Sequence, residues 1–312
     1  MIEENIKLDF SDVLICPKMT NVNSRSEVNP IRTIDFGTKK GIWSGVPIIV
    51  SNMDTVGTIQ MAKMAEKFKI ITCLHKYHTI NDIEQINKLD PNYYAISTGI
   101  GENDMNRMDQ LLELIDCRFI CIDIANGYTP NFRKVCKLVR DKYPEKIIMA
   151  GNIVTKEYIP ILADLGIDII KMGIGSGSVC TTRIQTGVGY PQLSAILESK
   201  DIAKKKGVKI ISDGGVQNPG DVAKALCAGA HFVMLGGFFS GHTECSGDIV
   251  VENGVEFKLF YGMSSNVAMN KYHDGGMKNY RSSEGKCVKI KHKGSVENTI
   301  LDLLGGLRSS LS

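Results

Sequence analysis

The sequence predicts a closed (β/α)8 barrel, the TIM-barrel class, in a single domain, and three observations carry that expectation. About eight short β-rich runs recur along 312 residues, segments of helical spacing separate them, and the glycine-rich and polar motifs fall just past the ends of the runs. Strands that alternate with helices run parallel, and eight such units close as a barrel more naturally than they form an open sheet. A doubly wound open sheet is the structural alternative.

The elements follow in order. The first forty residues hold no strong period, and Pro17, Asn21, Asn23, Asn29 and Pro30 mark an irregular lead-in crossing one end of the domain. Regularity begins at Val46, where PIIVSN reads as a buried strand, followed by the turn residues Asp54 and Gly57 and by an apolar-periodic helix around 59–68. Further strand-like runs occupy 70–74, 93–98, 119–124, 147–150, 167–172, 209–212 and 232–235. Helical spacing covers 80–89, 105–115, 131–143, 156–165, 192–206 and 219–228. The alternation breaks at 240–266, where Asn253 and Gly254 between alternating runs read as a β-hairpin excursion after the eighth strand. With no linker, low-complexity tract or charge block, residues 1–312 read as one domain with appended loops.

Composition narrows the function. Hydrophobic content of 43%, charged content of 23% and a net charge of +3, from 37 basic and 34 acidic residues, describe a globular protein without polyanion bias. Nucleic acid is not an expected partner. No apolar run approaches the ~20 residues of a membrane span, and MIEENIKLDF is acidic and mixed, so no membrane role and a cytoplasmic location are expected. Nine cysteines at irregular spacing, without a CxxC pair, fit reduced thiols better than disulfides or a zinc site.

The stretch KMGIGSGSVCTTRIQTGVGYPQ at 171–192 sets a lone cysteine inside a glycine-rich loop between a strand and a helix. Cys180 is the candidate nucleophile, and Thr182 stands close enough to shuttle protons. Gly187, Gly189 and Pro191 keep the segment from turning helical too early. A glycine-rich turn with an incidental cysteine is the bland alternative. In a barrel, the loops after the strands gather at one face and carry the site. After the first strand stand Asn52, Met53 and Asp54; after the second, His75 and Lys76; after the fourth, Asp123, Ala125, Asn126 and Gly127; after the fifth, Gly151 and Asn152. Asp213, Gly214 and Gly215 follow the seventh strand, and Gly236 and Gly237 the eighth. Paired glycines at the last two strand ends are where barrels hold a phosphate on backbone N–H groups, so a phosphorylated ligand is expected, with Asp213 free for sugar hydroxyls.

The passages GIGSGSVCTTRIQTGVGYPQLSA and ISDGGVQNPGDVAKALCAGAHFVMLGG, within a match running from DFSDVLICPK to LLGGLRSS, resemble the purine-nucleotide oxidoreductases that comprise IMP dehydrogenase and GMP reductase. TGIGENDMNRMD, VCTTR, FYGMSSNVAMNKY and YRSSEGK are more similar to the reductase branch. The usual dehydrogenase also inserts regulatory nucleotide-binding modules after its second helix, and here that helix leads almost directly into the third strand. The resemblance implies NADPH-dependent reductive deamination of GMP to IMP and ammonia, with Cys180 as nucleophile, Thr182 as proton-transferring threonine and Glu284 as its partner. It further implies a nucleotide shell of Ser178, Asp213, Gly214, Gly215, Gly236, Gly237, Gly262, Met263, Ser264, Arg281, Ser282, Ser283 and Gly285. The implied cofactor residues are Ser24, Arg25, Lys76, Asp123, Ile124, Ala125, Ile174, Gly175, Met263, Tyr280 and Arg281, with Ser309 and Ser310 reaching a cofactor on a neighbouring subunit. A monovalent cation, K⁺, on carbonyls of Gly175, Gly177, Cys180 and Arg183 is implied too, as is a homotetramer. Ser176 replaces a proline common in the family, which predicts a looser loop. Two other functions fit the same residues: an IMP dehydrogenase without its regulatory modules, and a noncatalytic nucleotide-binding barrel.

Overall fold

A computed structural model of the chain describes residues 5–247, 249–263, 265–272 and 283–312. An antiparallel hairpin comes first, β1 (Arg32–Asp35) with β2 (Ile42–Gly45). The barrel units follow: β3 (Ile48–Val50) and α1 (Ile59–Ala65), β4 (Ile71–Leu74) and the short α2 (Ile83–Ile86), β5 (Tyr94–Thr98) and α3 (Glu102–Leu112), β6 (Phe119–Asp123) and α4 (Pro130–Lys142). Next are β7 (Ile147–Ile153) and α5 (Ile159–Asp164), β8 (Ile169–Met172) with α6 (Thr182–Thr186) and α7 (Gln192–Lys206), β9 (Lys209–Asp213) and α8 (Pro219–Ala228), then β10 (Phe232–Leu235). β11 (Ile249–Glu252), β12 (Val255–Tyr261), α9 (Asn266–Tyr272), β13 (Cys287–Lys291) and α10 (Glu297–Leu311) complete the chain.

Strands β3 to β10 form a closed parallel barrel in which β10 pairs back onto β3. Closure excludes the doubly wound alternative. Alternation along each strand sorts the two cores: Ile169 and Lys171 of β8 face inward, while Ile170 and Met172 pack toward the helices. The helix boundaries have local causes. Thr129 caps α4 ahead of Pro130, and Asn218 and Asp221 form a capping box at α8, whose end is turned by Gly229.

Two segments differ from the sequence expectation. The lead-in is not wholly irregular, because β1 and β2 close the barrel's N-terminal end with Trp43, which is 1% exposed, lies 5.2 Å from Phe232 and donates Nε1–H to the Asn92 carbonyl at 2.9 Å. Asp168, just before β8, locks that end by pairing with Lys40 of the hairpin turn and, at 2.5 Å, with Arg140 of α4. β1 and β2 hold only one and two apolar residues, RTID and IWSG, too few for a strand pattern to register in sequence. The excursion is a hairpin as expected, turned at Asn253 and Gly254, but β13 joins it as a third strand. Among the described residues no helix is long and apolar enough to cross a membrane.

Trp43→Ala is expected to lower the unfolding free energy by about 3–5 kcal/mol, read from the shift of a chemical denaturation curve, with Trp43→Phe losing less because most of the plug's volume stays.

Candidate active site

At the C-terminal mouth of the barrel lies a cavity of about 540 Å³, lined by loops from all eight strands. The cysteine loop forms one wall. Gly173 opens it, because a Cβ there would lie 1.9 Å from the Asp213 carbonyl oxygen, so only glycine lets this loop cross the end of β9. Ser176 then donates its hydroxyl to Asp213 O at 3.0 Å and accepts from Gly215 N at 2.9 Å. The loop is therefore tied where sequence predicts looseness, by a hydrogen bond in place of a ring. Past Cys180 the chain makes one short helix, α6, which ends on a left-handed Gly187, so glycine stops the helix after five residues rather than preventing it.

Cys180 and Thr182 meet a third group from the excursion. The Cys180 thiol donates to Thr182 Oγ1 at 3.2 Å, and that hydroxyl donates to Glu284 Oε2 at 2.6 Å. Backbone pairing holds the two segments together: Thr181 N–H donates to Glu284 O at 2.9 Å, Lys286 N–H to Val179 O at 3.0 Å, and Cys180 bridges Gly285. An acceptor carboxylate at the end of a thiol–hydroxyl chain can draw a proton off sulfur and return one.

The floor is charged. Lys171 Nζ donates to Asp123 and lies 3.5 Å from Asp213 Oδ2, while Asn52 and Asn152 amides donate to the same two carboxylates, each at 2.8 Å. Burial would raise the Asp123 carboxyl, but the Lys171 ammonium, hydrogen bonds from Lys171 and Asn52, and the charge of Lys76 hold it below its ordinary value. Burial also works against the Lys171 ammonium, and Asp123, Cys121 and Asp213 together hold its pKa well above normal. Lys76 pairs with Asp104 of α3 at 3.3 Å. His75 stacks on His78 at 3.9 Å, and burial, then that neighbour, push it down to about 3, which leaves it neutral.

Most residues named from sequence converge here. Ser178, Asp213, Gly214, Gly215, Gly236, Gly237, Gly262, Met263, Lys76, Asp123, Ile124, Ala125, Ile174, Gly175, Gly177, Cys180, Thr182 and Glu284 all line the cavity. Ser283 and Gly285 sit directly behind it, Ser283 O accepting from Thr181 Oγ1 at 3.3 Å. Arg183 turns its side chain away, to Asp9 at 3.0 Å and Tyr190 O at 2.6 Å. Ser24, Arg25, Ser309 and Ser310 are not brought to this cavity; they lie on the short turn Arg25–Glu27 with its cap and on α10, which pack against each other. Ser264, Tyr280, Arg281 and Ser282 fall outside the described residues. Sequence reasoning missed Lys171, whose signal was a lysine inside the apolar run IDIIKM, and the loop Gly99, Ile100, Gly101, whose signal was a glycine pair after the third strand.

Gly173→Ala is expected to destabilise by about 3 kcal/mol, because a backbone carbonyl cannot yield, whereas Gly187→Ala, with open space around it, costs about 1 kcal/mol for its left-handed backbone alone. Denaturation of the two variants side by side checks the difference.

The chain's residues 7–312 match the family model described as IMP dehydrogenase / GMP reductase domain. It is 54% identical to GMP reductase 1 of Mus musculus and 50% identical to GMP reductase 2 of Homo sapiens, each over 99% of this chain and 90% of that protein. A GMP reductase of Yersinia pestis (strain Pestoides F) is 51% identical over the same shares. A barrel carrying this cysteine loop, matched end to end at such identity, belongs to the IMP dehydrogenase / GMP reductase family.

Proposed function

We propose that the chain catalyses the NADPH-dependent reductive deamination of GMP to IMP and ammonia through a thioimidate on Cys180. The observation that carries this reading is the unbroken Cys180–Thr182–Glu284 hydrogen-bond chain at a nucleotide-sized cavity. Relatives named GMP reductase support the substrate.

The chemistry follows from donors and acceptors. Glu284, through Thr182, takes the thiol proton, and Cys180 attacks the amino-bearing C2 of the purine as a thiolate. The same path returns a proton to the amino group, which departs as ammonia and leaves C2 bonded to sulfur. When bound, the nicotinamide supplies a hydride to C2, after which the C–S bond breaks and IMP leaves. Lys76, Asp123, Ile124, Ala125, Ile174, Gly175 and Met263 are the cavity residues that would hold the cofactor. Asp213 would accept from ribose hydroxyls, and Ser178 with the N–H groups of Gly214, Gly215, Gly236 and Gly237 would hold the phosphate. Gly262, Met263, Ser283 and Gly285, with Ser264, Arg281 and Ser282, would close on the base.

A K⁺ ion would rest on carbonyls of Gly175, Gly177, Cys180 and Arg183. The loop supports this fit by folding on itself: a Cβ on Gly175 would lie 2.5 Å from Arg183 Cγ, and one on Gly177 3.5 Å from the Cβ of Cys180. Backbone oxygens at such a turn are the donors a hard cation takes. A homotetramer in the cytoplasm, built from one catalytic domain per chain, completes the proposal. Support for assembly comes from Ser24, Arg25, Ser309 and Ser310, which lie off their own chain's cavity, and from the exposed Leu14 and Met19.

GMP with NADPH is expected to consume the nicotinamide absorbance, whereas IMP with NAD⁺ gives almost no change; the opposite pattern would assign the dehydrogenase reaction. Glu284→Gln is expected to cut GMP turnover by about 10²- to 10⁴-fold while GMP binding changes little. Single-turnover mixing of IMP with NADP⁺ should lose less, because that half-step shares the removal of the thiol proton but protonates no ammonia. Equal losses in both would confine Glu284 to what the two directions share, removal of the thiol proton or docking of the excursion, and would take it out of ammonia protonation.

A further inference from the structure

Lys171 is the residue the reaction above leaves unused, although it is the charged member of the cysteine stretch that sits deepest. It is 1% exposed, on the inward face of β8, one layer above Ile169. The layers below need no charge, being filled by Trp43, Phe119, Ile169 and Phe232. A cation kept in this position, where an apolar side chain of similar volume would satisfy packing, answers to something other than stability.

Its surroundings state what. Lys171 Nζ donates to Asp123 Oδ1 from β6 and stands 3.5 Å from Asp213 Oδ2 at the end of β9. Asn52 donates to Asp123 Oδ2 and Asn152 to Asp213 Oδ2, both at 2.8 Å, and Asn152 also donates to Gly173 O at 2.7 Å, at the root of the cysteine loop. A row of five side chains, Asn52, Asp123, Lys171, Asp213 and Asn152, thus crosses the cavity floor with the lysine at its centre. Both contacts to Asp213 fall on Oδ2, which leaves Oδ1 for a ligand hydroxyl. Among the described residues, the other ionisable groups around the ammonium are the thiols of Cys121 and Cys73 on the inner wall, and Lys76 above Asp123. Without Lys171 the half-buried Asp123 and Asp213 carboxylates would share the floor with Lys76 as the nearby cation among the described residues, and like charges brought together in a cavity separate or take up protons.

We propose that Lys171 is a positioning residue shared by both halves of the cavity: its ammonium holds the Asp123 and Asp213 carboxylates in register, so loss of that one charge weakens nucleotide and nicotinamide cofactor together. The inference rests on the functional reading above, in which Asp213 serves the ribose and Asp123 the cofactor.

The test compares wild type, Lys171→Met and Lys171→Arg, with GMP affinity from calorimetry, NADPH affinity from its fluorescence, and the fold checked by thermal unfolding. Lys171→Met is expected to weaken each ligand by at least about tenfold, and Lys171→Arg to recover part of both losses. In the methionine variant Asp123 stays half-buried without its cation, so its carboxyl titrates higher and NADPH affinity falls as pH is lowered, while wild type stays flat over the same range. A loss confined to one ligand, or affinities like wild type for both, overturns the shared role. If Lys171→Met does not fold, the double variant Asp123→Asn, Lys171→Met, which buries no unpaired ammonium and one carboxylate fewer, decides the nucleotide half: GMP weakened about tenfold relative to Asp123→Asn alone supports the proposal, and equal GMP affinity overturns it. A wild type that binds neither ligand overturns the functional reading and this inference with it, whereas a wild type that binds both leaves only the Lys171 variants to decide.

Discussion

Pairing of β10 with β3 is the constraint on which the rest of this molecule depends. Val50 partners Leu235, and the Leu235 carbonyl accepts from Ser51 N at 2.9 Å, so the first and last barrel strands share one edge and leave no open strand. Closure aims every loop after a strand at a single mouth. Asn52, Asp123, Asn152, Lys171 and Asp213 come from five strands, yet their side chains meet because strand register, not sequence distance, sets where each one emerges.

The barrel interior changes character along its axis. At the N-terminal end Trp43, Phe232 and Phe119 fill it as an apolar plug, and at the other end one lysine and two carboxylates sit in the same narrow space. Charges removed from water persist there only when each is paired and hydrogen-bonded, which makes the floor stiff: shifting any member strands another. Stiffness suits a site proposed to hold two ligands against each other.

The groups proposed to be catalytic come from two layers. Cys180 and Thr182 belong to the barrel, while Glu284 belongs to the excursion, and the thiol–hydroxyl–carboxylate chain exists only when the excursion is docked. Backbone bridges between Val179–Thr181 and Glu284–Lys286 do the docking at one side. On the other, Asp54, buried after β3, accepts from the Tyr261 hydroxyl at 2.7 Å and pairs with Lys271 of α9 at 3.3 Å, and its N–H meets Met263 Sδ at 3.4 Å. The loop after the first barrel strand therefore anchors the segment that follows the eighth.

By itself the sequence determined the alternation of strands and helices, the place of the excursion and the position of Cys180 in a glycine-rich loop past a strand end. Those features are written in periods of two and 3.6 residues, in an Asn-Gly turn and in a glycine-rich run around Cys180, all of which are local. β10, α7 and α8 fall at the bounds their patterns predict. The tertiary structure decided what depends on distant partners. The β1–β2 plug is stable because Trp43 finds Phe232, and no window of sequence contains both. Glu284 reaches Thr182 only through cross-barrel pairing, so the partnership was legible through resemblance and never through spacing. Lys171 went unread for the same reason: within IDIIKM it is one polar residue in an apolar strand, and it acquires meaning only when closure sets Asp123 and Asp213 on either side of it.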